Sequence, residues 1–128
     1  MLELRLETEL NSVLIVDDSA AEREKLAGIL RDTGWIVSTA VNGEEALKKA
    51  KLEKPRIIFM DIVMPDMDGY ATCRKLAADA DTKSIPIVFV STKNQRADQV
   101  WARMQGGKEL ISKPYTDEQV TDALKYAA

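Results

Sequence analysis

Five short apolar runs, rich in β-branched residues, alternate with segments of helical period: Val13-Leu14-Ile15-Val16, Trp35 to Ala40, Ile57-Ile58-Phe59-Met60, Ile87-Val88-Phe89-Val90 and Leu110-Ile111-Ser112. That alternation is the signature of an α/β fold, a (β/α)5 sandwich around a five-stranded parallel sheet. Ligands of such sheets bind outside the carboxyl ends of the strands. The residues at the end of each run therefore carry the chemistry. Asp17 and Asp18 come after the first, Asp61 after the third, Ser91 after the fourth, and Lys113-Pro114 after the fifth. If these strands are neighbours, carboxylates, a hydroxyl and an ammonium converge on one rim, which would bind Mg²⁺ and a phosphoryl group.

The helical segments carry their own punctuation. The first helix begins at Ser19, whose hydroxyl and the Glu22 carboxylate have capping-box spacing, and presents Leu26, Ile29, Leu30 and Thr33 on one side before Gly34. Asn42 is the expected cap of the second, with Glu45 three residues on and Ala46, Leu47 and Ala50 inward until Pro55. The third is expected to bury Cys73, Leu76, Ala77 and Ala80, and the fourth Ala97, Val100, Trp101 and Met104 before Gly106-Gly107. For Val100 and Trp101, packing is the preferred reading over a partner-binding surface. Thr116 and Gln119 cap a last helix buried through Val120, Ala123, Leu124 and Ala127. Residues 1–11 read as an N-terminal extension to a domain over 12–128, because Leu2, Leu4 and Leu6 alternate like a strand while their Glu-rich surroundings tolerate a helix.

Composition narrows the class. A chain of 128 residues suits one domain with a sizeable core. With 18 basic against 21 acidic side chains, its net charge of -3 argues against direct DNA binding. Cys73 stands alone, which excludes an internal disulfide and suits a reducing, cytoplasmic setting; it reads as a small buried hydrophobe. No apolar stretch reaches the roughly 18 to 20 residues of a membrane helix, so membrane insertion is not expected.

Mg²⁺ demands oxygen ligands and is usually held by one or two carboxylates plus phosphate oxygens, which Asp17, Asp18 and Asp61 can supply. Crowded carboxylates raise one another's pKa unless a cation intervenes, so metal binding should stabilise the fold. Asp61 is the nucleophile candidate, Lys113 a point charge for the transferred oxygens, and Ser91 a rotatable donor toward them. Pro114 restrains the backbone that launches the Lys113 stem, with a cis bond as one option. In the Met64-Pro65-Asp66-Met67-Asp68-Gly69 turn, Gly69 is expected to take a positive φ.

Val-Asp-Asp-Ser at 16–19, Met-Asp-Ile-Val-Met-Pro-Asp-Met-Asp-Gly at 60–69, Ser91 and Lys113-Pro114 resemble the receiver domain of two-component response regulators, over residues 12–127. The resemblance implies a flavodoxin-like sandwich with strand order 2-1-3-4-5. It further implies that Asp61 accepts phosphate from a histidine kinase or phosphotransfer protein, that Asp17, Asp18, Asp61 and the Val63 carbonyl hold Mg²⁺, and that Ser91, Thr92, Trp101, Leu110, Lys113 and Pro114 shape a switch and target-protein surface. Ser91 to Gln95, with Asp98 to Trp101 and Gln105-Gly106, is similar to single-domain regulators of twitching motility and related chemosensory pathways. With no output domain after Ala128, direct transcriptional control is not expected.

The chain departs from the family pattern at several positions. Leu110 stands where many receivers carry a rotating Tyr or Phe, and Thr92 where a small residue is usual. Val63 and Lys93 occupy positions that tune acyl-phosphate lifetime, and an apolar Val63 cannot orient an attacking water, so slow self-dephosphorylation is expected. Competing readings are a Mg²⁺-dependent aspartyl phosphohydrolase, which normally wants a second acid at Val63, a flavodoxin-like carrier, disfavoured by acids where a flavin phosphate would bind, and a phosphorylation-independent docking module.

Overall fold

The computed structural model describes residues 11–127. The ambiguous Leu2 to Leu6 segment lies outside them. Strands β1 (Ser12–Val16), β2 (Ile36–Ala40), β3 (Ile57–Met60), β4 (Ile87–Ser91) and β5 (Glu109–Ser112) form one parallel sheet ordered β2-β1-β3-β4-β5. Between and after them run α1 (Ala20–Asp32), α2 (Gly43–Glu53), α3 (Gly69–Ala78), α4 (Arg96–Met104) and α5 (Asp117–Ala123), the last continuing as a 3-10 turn over Leu124–Ala127.

Because successive strand side chains point to opposite faces, the sheet builds two cores. Leu14, Val16, Ile58, Met60, Phe89 and Leu110 face Ala46 and Ala50 of α2, Cys73 and Leu76 of α3, and Ala102 of α4. Val13, Ile15, Ile57, Phe59, Val88 and Ile111 face Leu26, Ala27 and Leu30 of α1 with Val120 and Ala123 of α5. Strands covered on both sides read as continuous apolar runs rather than alternating ones, the pattern seen in the sequence. Register in the sheet centre aligns Val16 with Met60, and Ser91 with Ser112, so Asp17, Asp61 and Lys113 leave the sheet at one level.

Two predicted stripes are corrected. Helix α3 stops at Ala78, leaving Ala77 and Ala80 exposed, while Tyr70 and Thr72 are buried with Cys73 and Leu76. The reason is Thr82, itself buried, whose hydroxyl donates to the Leu76 carbonyl at 2.7 Å and draws the chain away from the helix axis. On α4 the apolar stripe is real but faces outward: Val100, Trp101 and Met104 are 56%, 50% and 67% exposed, and only Ala102 is buried. Periodicity identifies a helix face without saying which side meets the sheet. Here the sheet side is claimed by Ala102 and by Gln99, whose side-chain amide donates to the Leu110 carbonyl at 3.0 Å.

Gly69 corrects a third expectation. The positive φ of the turn after β3 falls on Asp66, at 69°, while Gly69 opens α3. Gly69 is required by proximity instead, because a Cβ there would lie 2.2 Å from the Asp61 carbonyl oxygen. Its N–H donates to the Ile62 carbonyl at 2.7 Å.

Candidate functional site

The carboxyl ends of β1 and β3 deliver three acids to one point. One carboxylate oxygen each from Asp17, Asp18 and Asp61 lies within 4.8 Å of the others, with Asp17 and Asp61 largely shielded and Asp18 exposed. The loop that carries Asp17 is pinned by its own chemistry. The Asp17 N–H donates to the Ala40 carbonyl at 3.1 Å, the Arg23 guanidinium donates to the Asp17 carbonyl at 2.8 Å, and Asp17 Oδ1 accepts from the Ser19 N–H at 2.9 Å. Asp61 is held likewise. Its N–H donates to the Val16 carbonyl at 2.9 Å, and its Oδ1 accepts from the Val63 N–H at 3.3 Å.

Lys113 crosses from the edge strand to meet them. Its Nζ stands 3.0 Å from Asp17 Oδ2 and 3.2 Å from Asp61 Oδ2. Its backbone is fixed by a hydrogen bond from the Lys113 N–H to the Ser91 carbonyl at 2.8 Å, and the Lys113–Pro114 bond is cis. Burial favours a discharged lysine, but the hydrogen bond to Asp17 and the charges of Asp61 and Asp17 outweigh it, and the ammonium is pushed up from its ordinary value. For Asp61 burial dominates. Opposed by Lys113 and reinforced by Asp17, it holds that carboxyl above the usual aspartate range. Three carboxylates, Asp17, Asp61 and Glu22, thus meet one ammonium, and with Asp18 beside Asp17 and Asp61 they make a hard-oxygen site with excess negative charge that fits a small divalent cation.

Ser91 is fully buried at the same rim, and its hydroxyl accepts from the Lys93 N–H at 3.4 Å. It stands beside the acid and lysine cluster rather than within its hydrogen bonds. Thr92 and Pro114 are exposed, whereas Leu110 is 3% exposed inside the core. Cys73 is buried, donates to the Gln105 carbonyl at 3.2 Å, and has its thiol pushed up to about 11 by burial, which leaves it inert.

Sequence reasoning missed one member of the cluster. Glu22 was expected to close a capping box by accepting from the Ser19 N–H, but Asp17 takes that donor, and only the Ser19 hydroxyl's bond from the Glu22 N–H forms, at 3.3 Å. The released carboxylate lies 3.7 Å from Lys113 Nζ. The available signal was Asp17 itself, two residues before Ser19 at the spacing of an Asx turn.

Comparison with known proteins agrees with this geometry. Residues 13–125 match the response regulator receiver domain family. The chain is 42% identical to Protein PilH of Pseudomonas aeruginosa over 106 residues, spanning 83% of this chain and 88% of that protein. It is 35% identical to Protein PilG of the same organism over 113 residues, 88% of this chain and 84% of that one. Among solved structures it superposes on the chemotaxis response regulator CheY4 of Vibrio cholerae with a TM-score of 0.84 and 29% identity, covering 91% of this chain and 98% of that one. A shared strand order, an acidic pocket at the carboxyl ends of β1 and β3, and a family match across nearly the whole sequence lead to one conclusion: the chain belongs to the response regulator receiver domain family.

Proposed function

We propose that this chain is a phosphoacceptor switch in which Asp61 receives a phosphoryl group from the phosphohistidine of a histidine kinase or phosphotransfer protein. The observation that carries the reading is the meeting of Lys113 Nζ with the Asp61 carboxylate at 3.2 Å, beside a triad of acids within 4.8 Å. One Asp61 oxygen attacks phosphorus as the P–N bond breaks, and the imidazole nitrogen leaves with the bonding pair and takes a proton from solvent. Asp17, Asp18, Asp61 and the Val63 carbonyl would hold Mg²⁺, which when bound supplies positive charge against the negative charge of the transferred group. Lys113 follows the phosphoryl oxygens, and the Ser91 hydroxyl turns from Lys93 toward them.

Output follows through the surface that Ser91, Thr92, Trp101, Leu110, Lys113 and Pro114 shape. The exposed Val100, Trp101 and Met104 support α4 as its apolar part, beside a groove of about 650 Å³ that Arg96, Gln99 and Arg103 help to line. Identity to PilH, and the sequence resemblance to regulators of twitching motility, support a place in a cytoplasmic chemosensory pathway of that kind. No helix among the described residues is long and apolar enough to cross a membrane.

Incubation with Mg²⁺ and acetyl phosphate tests the reading. Intact mass should show one added phosphoryl group on the native chain and none on Asp61→Asn. Failure to form the adduct with acetyl phosphate and with a cognate kinase alike overturns the proposal. Val63 is apolar and 58% exposed two residues beyond Asp61, so the acyl phosphate should persist for minutes or longer; decay within seconds contradicts this part.

A further inference from the structure

Lys113 is surrounded by three carboxylates, and they are not equivalent. Asp17 and Asp61 accept hydrogen bonds from its amine at 3.0 and 3.2 Å, while Glu22 Oε2 stands at 3.7 Å, an ion pair without a hydrogen bond. Resting on the phosphoacceptor reading, the first two are committed elsewhere during the reaction: Asp61 hands an oxygen to phosphorus, and Asp17 belongs to the proposed cation site. Glu22 alone is left to balance and orient the ammonium as it moves from Asp61 Oδ2 to the phosphoryl oxygens.

The local structure leaves Glu22 free for this. It sits in the first turn of α1, where an acid ordinarily reaches back to the cap N–H, as Asp98 does to the Gln95 N–H at 3.0 Å in α4. In α1 the Asp17 side chain occupies that N–H at 2.9 Å, so the Glu22 carboxylate has no capping duty and turns to Lys113. The body of α1 is held against the β5–α5 connection, with Lys25 Nζ 4.9 Å from the centre of the Tyr115 ring, which keeps the first turn of the helix near Lys113.

We infer that Glu22 is a positioning residue for phosphoryl acceptance, acting on the reacting atoms only through the Lys113 ammonium. Two measurements test it. The first is a cycle of adduct-formation rates with acetyl phosphate and Mg²⁺ for the native chain, Glu22→Gln, Lys113→Gln and the double variant. Glu22→Gln should slow the native chain by about threefold, a size set by a part-exposed ion pair, and should change the rate by less than about 1.5-fold when Lys113 is already Gln. Equal slowing in both backgrounds, or none in the native chain, overturns the inference. Glu22→Asp, which keeps the helix-terminal charge but shortens the stem, should slow the reaction as Gln does, whereas full rescue by Asp would reduce Glu22 to a helix-end stabiliser.

The second measurement needs no phosphoryl donor. With lysines ¹³C-dimethylated, the Lys113 methyl resonance at fixed pH should shift in Glu22→Gln while other lysine signals stay in place. An unmoved resonance overturns the inference even if the native chain forms its adduct. A moved resonance in a protein that forms no adduct would instead keep the Glu22–Lys113 contact and remove the phosphoacceptor reading.

Discussion

Tyr115 carries a hydroxyl that the fold buries without a hydrogen-bond partner among the described residues, 8% of the residue being exposed. Burial first, then the Glu22 charge, pushes its titration up to about 12 from an ordinary 10.0. Because the fold penalises the ionised form, stability is unaffected by this group below 10.0 and is lost as pH climbs from there through about 12. Tyr115→Phe should therefore flatten alkaline unfolding across that window. At neutral pH it should also stabilise the protein by about 1 kcal/mol, by removing a desolvated hydroxyl; urea denaturation at pH 7 and pH 11 reads both effects. Asp61 behaves analogously at the acid end. Its raised carboxyl means that the ionised form is penalised in the fold, so Asp61→Asn should raise the melting temperature in cation-free buffer at pH 7. The advantage should fade as pH falls through the raised value, where the native aspartate protonates. Residues of this kind show what a sequence displays and hides. Asp17, Asp61 and Lys113 were legible because each directly follows a recognisable strand. Glu22 was hidden because its local signal, a helix cap, competes with a partner 91 positions away, and only the folded chain decides between them.

Elements position the site through close approach more than through propensity. The N-terminus of α3 is drawn against the backbone that bears Asp61, and Gly69 makes the distance possible. In Gly69→Ala the added methyl would meet the Asp61 carbonyl, an overpacked contact that typically costs about 1–3 kcal/mol. The predicted result is a lower unfolding midpoint with adduct formation slowed more than tenfold, since the acceptor would leave its productive position; both can be followed on one preparation by denaturation and intact mass. Strand existence, strand ends and the inward stripes of α1, α2 and α5 could be read largely from periodicity, and that of α3 in half. The face of α4 could not, because amphipathicity is symmetric to the choice between a core and an unoccupied surface, and a short Ala and a Gln amide took the inward side. Nor could the end of α3, which is set by Thr82 beyond the helix.

Across the whole molecule, a cation held at the carboxyl edge of the sheet would couple ligation to stability. Because the acids crowd together in the folded state and separate when the chain unfolds, a divalent cation that binds the pocket stabilises the native state by mass action. At a hundredfold excess over Kd, Mg²⁺ should add about 2.7 kcal/mol, visible as a calorimetric shift that vanishes in a chain carrying Asp17→Asn and Asp61→Asn together. The molecule also carries its own optical probe. Of its two tryptophans, Trp35 packs against the core under α1, whereas Trp101 stands half in solvent on α4. Acrylamide quenching will therefore fall mainly on one indole, and any protein that covers α4 should announce itself by a blue-shifted, protected emission without a label having been attached.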